Sequence, residues 1–562
     1  MHDTASGAAE FLELGAALHP ARPDWWRGAV IYQIYPLSFF DSNGDGLGDL
    51  PGIIAKLDYI ASLGVDAIWL SPFFASPMKD FGYDVSDYRA VDPVFGTLAD
   101  FDQLLHRAHA IGLKVLIDQV WCHTSDQHPW FIASRAGRTG EQADWYVWAD
   151  PRDDGTPPNN WLSVFGGSAW SWEPRRRQYY LHHFLASQPA LNLRNPAALD
   201  AVLAAGTFWL ERGVDGFRLD AVDFLLHDPE LRDNPPAAAS AGGPPVKPFA
   251  MQNHVHDMLQ PDTGEILTRI RALTDRYPCT VTLAEVSSQA GAFGRVLDYT
   301  VGDRMHMGYT LRLLREPLDP GSLKRTLDEI AAGDQGGWLC WCFGNHDAER
   351  PVSRWKRADE GSDAAFARML LALLVALRGS VCLYQGDELG LPEAELDFAD
   401  LRDPFGITYH PEFRGRDGSR TPMPWCGRAQ NGGFTEAPRP WLPVPACHRR
   451  LAVDHQDLDA GSPLNTLRRL LRWRRMHPAL IFGALRPLAL DEPVFGFTRR
   501  FADEHLLVVC NLEGTPARFA LPGTVRSLTG HGFVSTLSEG MVELPGYGVF
   551  FGAMEDEPAS GG

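Results

Sequence analysis

Short apolar runs recur along most of the chain, separated by stretches whose apolar residues fall at helical spacing. Runs at 30–35, 67–70, 115–120, 216–219, 281–284, 297–299, 338–343 and 381–384 are each four to six residues of buried-strand character, the one at 297–299 being shorter. Between them, 98–112 and 364–377 carry the three-to-four spacing of an amphipathic helix and end close to a glycine. Strands alternating with helices predict a parallel sheet, and eight such units predict a closed (β/α)8 barrel, an α/β fold. After residue 481 the pattern changes to short alternating runs such as VFGFTRRF and HLLVVCNL, which predict a C-terminal all-β domain over 481–554.

Two connections are too long for simple loops. The stretch 122–187, rich in Trp, Gly and Pro, follows the third strand and is expected to form a small inserted domain overhanging the cleft. A second insertion, about 388–454, follows the eighth strand. The barrel is thereby expected to comprise 23–121 and 188–480, with 1–22 an N-terminal extension and 555–562 a disordered tail. Residues 233–248, DNPPAAASAGGPPVKP, have no means of packing a core and read either as a solvent loop or as a lid.

Composition narrows the partners. A chain of 562 residues, 45% hydrophobic and 22% charged, is ordinary for a globular enzyme, but the net charge of -20 repels phosphate backbones and anionic lipid. Neither nucleic acid nor a membrane surface is expected as a partner; a neutral substrate is. The eight cysteines form no CxxC pair and several interrupt strand-like runs, so neither a zinc site nor a disulfide framework is expected. The first twenty residues lack a basic segment followed by an apolar one, and no run is long enough to span a bilayer. A cytoplasmic monomer or homodimer is the expectation.

Three acids end strand-like runs: Asp220 in GFRLDAV, Glu285 in VTLAEV and Asp347 in WCFGNHD. A carboxylate at the rim of a buried strand is costly to desolvate, and two converging on one cleft point to glycoside chemistry. Taken singly, any of them could be a helix cap or a satisfied structural acid. Arg218, two positions before Asp220 on the same strand, points to the same side and can hold that carboxylate ionised.

The segments AIWLSPFFASPMKDFGYDVSDY, DQVWCHTSDQHPWF, GFRLDAVDF, LAEV, CFGNHDAER, LYQGDELG and RDGSRTPMPW, in this order, resemble the alpha-glucosidase branch of glycoside hydrolase family 13, the alpha-amylase superfamily. The resemblance covers nearly the whole chain from residue 25 onward. It implies an exo-acting, retaining alpha-glucosidase with Asp220 as nucleophile, Glu285 as general acid/base and Asp347 as a third acid that binds sugar hydroxyls. It further implies that His123 and His346 bind hydroxyls, that Tyr83 stacks on the sugar, and that Phe165 and Phe184 line the pocket. Asp84, paired with Arg416, is expected to close that pocket around the non-reducing end.

Near the start, DSNGDGLGD places oxygens at alternate positions with glycines for tight turning, as a hard divalent cation requires. Gly52 occupies the place where an EF-hand has its bidentate Glu. The resemblance implies a structural Ca2+ or Mg2+ held by Asp41, Asn43, Asp45, the Leu47 carbonyl and Asp49. Ala221, beside the expected nucleophile, stands where oligo-1,6-glucosidases of the branch usually have Val, which leans towards alpha-1,4 substrates such as maltose. Two departures from the branch are Cys122, where Asn or Ser is usual, and Ala190, where a polar residue is common; Asp387 replaces a more frequent Glu and is expected to be structural. The expected covalent intermediate can pass to water or to another hydroxyl compound, so transglucosylation is expected. An oligo-1,6-glucosidase, a sucrose-converting isomerase and a non-catalytic binding subunit are the alternatives.

Overall fold

The computed structural model describes residues 23–238, 245–287, 291–313, 316–333, 336–355 and 363–555. Eight parallel strands form one sheet: β1 (Val30–Ile34), β2 (Ala67–Leu70), β3 (Lys114–Gln119), β4 (Gly216–Leu219), β5 (Val281–Val286), β6 (Met307–Thr310), β7 (Cys340–Cys342) and β8 (Ser380–Tyr384). Their order is 6-5-4-3-2-1-8-7, and a parallel bridge between Gly308 and Leu339 joins the two outer strands, closing the barrel. Every strand residue except Lys114 is buried, which is why these runs read as continuous apolar segments instead of alternating ones.

The sixth strand departs from expectation. Residues 297–299 lie in a helix, Ala292–Tyr299, and the strand is Met307–Thr310. Ala292, Phe293, Val296 and Leu297 are buried at one-and-four spacing, the stripe of a helix packing on the barrel, whereas MGYT is too short to advertise itself. Gly308 belongs there because a Cβ would come within 3.2 Å of Val296 and 3.3 Å of the Ala284 carbonyl. The expected helices are present as Leu98–Ala110, opened by a capping box of Thr97 and Asp100, and Asp363–Ala376.

Between β3 and β4, residues 122–187 hold the helix Pro129–Arg135 and a three-stranded antiparallel sheet of Trp148–Ala149, Gln178–Leu181 and Trp170–Glu173. The connection after β8 contains short helices and turns and, among the described residues, no strand. C-terminal strands from Ala484 onward form a five-stranded antiparallel sheet and a three-stranded one. Of 233–248, residues 239–244 lie outside the described residues, as do 1–22 and 556–562.

Candidate active site

At the C-terminal ends of β3, β4 and β5, one guanidinium organises the acids. Arg218, fully buried in β4, places Nη1 2.8 Å from Asp220 Oδ1 and 2.8 and 2.9 Å from the two oxygens of Asp118. Its Nη2 lies 2.7 Å from Glu285 Oε2 and donates at 2.9 Å to the Tyr309 hydroxyl, and its plane covers the Trp69 ring at 4.8 Å. A planar fork with several donors suits this sharing in a way a lysine could not. Tyr309, from β6, donates to Glu285 Oε1 at 3.1 Å.

Ala221 adopts the left-handed region, φ 43° and ψ 50°, and its N–H donates to Glu285 Oε2 at 3.1 Å. That conformation is strained for a residue with a Cβ, and it turns the amide after Asp220 towards the neighbouring acid. Burial pushes the Asp220 carboxyl up to about 7 against the pull of Arg218, and Glu285 likewise up to about 7. Asp220 adds to the rise at Glu285, so ionising one favours the proton staying on the other.

Asp347 is different. Burial alone would raise it, but His346, Arg416, Arg420 and Arg218 surround it and hold it well below the usual carboxylate range. Burial keeps His346 neutral, down to about 3, so the arginines supply this pull near neutral pH. Arg420 Nη2 reaches Asp347 Oδ1 at 2.7 Å and Arg416 Nη1 reaches it at 3.2 Å. About a quarter of the Asp347 side chain remains exposed, so it faces the cleft.

The Asp84 pairing is not what the structure contains. Arg416 binds Asp80 at 2.8 Å and Asp403 at 2.7 Å, while Phe165 lies under its guanidinium at 5.3 Å. Asp84, fully buried, accepts instead from Lys79 N, Asp80 N and Ser76 Oγ, at 2.9 to 3.0 Å. It shapes the turn that presents Asp80. The two acids are four residues apart in KDFGYD, and only the turn decides which one faces the arginine.

Tyr83 and His346 are stacked on each other, centroids 5.3 Å apart and ring planes nearly parallel, and Tyr83 Oη lies 2.6 Å from His346 Nε2 and 3.1 Å from Asp118 Oδ2. His346 Nδ1 meets Gln33 Nε2 at 2.7 Å. His123 contacts the Tyr83 carbonyl and Gln188, with the Phe184 ring 5.2 Å away; Phe165 stands 6.4 Å from Phe184. Tyr83, His123, Phe165, Phe184, Arg218, His346 and Arg416 thus belong to one contiguous network with Asp220, Glu285 and Asp347. Asp80, Asp118, Tyr309, Asp403 and Arg420 also belong to it and were missed; Asp118, a charge inside the apolar run KVLIDQV, was the visible signal.

In the loop 41–49 every donor is an oxygen, which fits a hard cation. Asp41 accepts from Asn43 N, Gly44 N, Gly46 N and the Thr435 hydroxyl; Asn43 accepts from Asp45 N and Asp45 from Leu47 N. Asp49 caps the helix Leu50–Leu63 through Gly52 N at 2.6 Å and binds Ser42. Among the described residues no three His, Cys, Asp or Glu side chains converge in a metal-holding group. None of the eight cysteines is in a disulfide, and Asp387, just past the end of β8, accepts from Tyr384 N. No helix of the described residues is long and apolar enough to cross a membrane.

A closed parallel barrel with clustered acids at its C-terminal rim, three of them sharing a guanidinium, is the arrangement of a retaining glycoside hydrolase. Residues 33–483 match the alpha-amylase catalytic domain, and the chain belongs to the alpha-amylase family, glycoside hydrolase family 13, in its alpha-glucosidase and oligo-1,6-glucosidase branch. It is 51% identical over 541 residues to a probable alpha-glucosidase of Rhizobium meliloti (strain 1021), covering 95% of this chain and 98% of that one. An oligo-1,6-glucosidase of Parageobacillus thermoglucosidasius is 36% identical, covering 89% and 92%. Among solved structures, an alpha-glucosyl transfer enzyme, XgtA, superposes with a TM-score of 0.91 at 53% identity, covering 94% of this chain and 99% of that one.

Proposed function

We propose that the protein is an exo-acting, retaining alpha-glucosidase that releases alpha-glucose from the non-reducing end of small alpha-glucosides, alpha-1,4-linked ones such as maltose favoured, and passes glucosyl units to hydroxyl acceptors. The observation that carries the reading is Arg218 holding Asp220 and Glu285 together, 2.8 and 2.7 Å from its two terminal nitrogens. Retention requires carboxyl groups about 5 to 5.5 Å apart, one attacking and one donating a proton. Asp220 attacks the anomeric carbon as the carboxylate; the C–O bond to the leaving sugar breaks as Glu285 gives its proton to that oxygen. Water or an acceptor hydroxyl then returns the proton to Glu285 and frees the sugar from Asp220. Asp347, held ionised by Arg416 and Arg420, binds sugar hydroxyls and favours the positive charge of the transition state.

The pocket end is closed by Arg416 with Asp80, backed by Asp403 and Phe165, which supports exo-action. The all-oxygen loop 41–49 supports a structural Ca2+ or Mg2+ with Asp41, Asn43, Asp45, Leu47 and Asp49 as its ligands, and eight cysteines outside any disulfide support a cytoplasmic location. The second reading, an oligo-1,6-glucosidase, is favoured by the relatives so named. Following product anomers by NMR with maltose, isomaltose and sucrose, beside an Asp220→Asn control, separates them. Early alpha-glucose from maltose supports the first reading; turnover of isomaltose alone supports the second. No turnover of any glucoside returns the binding-subunit alternative.

A further inference from the structure

Tyr309 stands opposite Glu285 in the register of β6 against β5, so both side chains leave the sheet on the same side. Its hydroxyl has one hydrogen and two lone pairs. Arg218 Nε and Nη2 donate to it at 3.2 and 2.9 Å and take both lone pairs. The hydrogen is then the one thing Tyr309 can offer, and Glu285 Oε1 accepts it at 3.1 Å. Burial holds the phenol protonated, well above its ordinary range.

The two oxygens of Glu285 are thereby made unequal. Oε2 faces the Ala221 N–H at 3.1 Å and Arg218 Nη2 at 2.7 Å, groups that can only donate. A proton on Oε2 would meet theirs, so the proton of the neutral acid belongs on Oε1, which keeps one lone pair beside the bond from Tyr309. The charged and titratable groups around this carboxyl are Arg218 and Asp220 from β4, Asp118 and Cys122 from β3 and its end, Cys342 from β7 and Asp347 beyond it. Among the described residues, Tyr309 is the one that donates to Oε1.

We propose that Tyr309 is a positioning residue for the acid/base step: it leaves Glu285 Oε1 as the oxygen that hands the proton to the glycosidic oxygen, and it stabilises the carboxylate left behind. The inference rests on the glucosidase reading for its reaction. As the C–O bond breaks, its electron pair goes to the leaving oxygen, which takes the Oε1 proton, and the Tyr309 hydrogen meets the new charge. In the second half Oε1 takes the proton of water or of an acceptor hydroxyl while that oxygen bonds to the anomeric carbon and Asp220 leaves with its electron pair.

Tyr309→Phe keeps the ring and removes this bond. A donor to the ionised carboxyl favours the charged form, so its loss moves the basic limb of kcat/KM for maltose alkaline by about one pH unit, and kcat/KM at the optimum falls about tenfold. Alpha-glucosyl fluoride, whose leaving group needs little proton help, loses no more than about threefold. Replacing Tyr309 with 3-fluorotyrosine, a stronger donor of nearly the same volume, moves the limb the other way. In protein carrying 13C-glutamate, the Glu285 carboxyl infrared band, assigned by its loss in Glu285→Gln, titrates higher in Tyr309→Phe than in wild type, and this readout needs no turnover. Equal losses on maltose and the fluoride, or an unmoved limb, make Tyr309 merely structural and overturn the proposal. If no glucoside is turned over, the fluoride included, the glucosidase reading has failed; the carboxyl band then decides alone, and an unshifted band overturns the role of Tyr309 as well.

Discussion

Replacing Glu285 with Gln removes the proposed proton donor while keeping its shape, and the structure sets what this does to stability. Burial raises the Glu285 carboxyl from 4.5 to about 7 in the fold. A raised carboxyl binds its proton more tightly folded than unfolded, so its contribution is most favourable below 4.5 and declines as pH rises to about 7. Above 7 the whole cost of the buried charge is present. The gap between 4.5 and about 7, at 1.36 kcal/mol per pH unit, comes to about 3 kcal/mol. Gln mimics the protonated acid and can still accept from Ala221 N or Tyr309, so Glu285→Gln gains about 3 kcal/mol over wild type at pH 8 and nothing at pH 4. Over 562 residues the unfolding entropy is about 1.2 kcal/mol/K, which converts that gain into a rise in Tm of about 3 °C. Calorimetry of both proteins from pH 4 to 8 reads the difference. Turnover of maltose falls by roughly 10²–10⁴ in the same variant, since proton donation is lost. A variant equal to or weaker than wild type at pH 8 refutes the reasoning: Arg218 would then need Glu285 as a counter-charge more than the fold suffers from burying it.

Asp220→Asn abolishes glucose release from maltose, and a variant that retains more than about a hundredth of wild-type turnover removes Asp220 from the nucleophile's place. Arg416→Ala leaves Asp80 and Asp403 without their buried partner and raises KM for maltose; it costs about 3 to 5 kcal/mol of stability, readable by denaturant titration. Asp403 is held down to about 2 because Arg416 outweighs its burial, so its stabilisation is present above about 3.8 and is lost as pH falls through about 2. Asp403→Asn is accordingly weaker than wild type by about 2 kcal/mol at pH 7, and the two curves converge on acidification. Chelation with EDTA lowers Tm if loop 41–49 carries its cation, with added Ca2+ or Mg2+ restoring it; an unchanged Tm after exhaustive dialysis counts against the ion.

Seven of the eight strands, the three acids and Arg218 were legible because each is written locally: an apolar run, then a charge, within a few residues. Burial on both faces of a parallel sheet leaves such runs intact in the chain. The sixth strand was not legible, since MGYT is held by β5 and a bridge to Leu339, while the nearby helix carries the stronger apolar stripe. Nor could the order of residues decide between Asp80 and Asp84. Both lie in one turn, and Arg416 meets only the first because the chain folds back over a separation of 336 positions to bring it there. The sequence by itself determined which residues are chemically able to act and roughly where strands present them. Which carboxylates share the Arg218 guanidinium only the tertiary structure decided, because those bonds join β3, β4 and β5 and exist only once the barrel has closed.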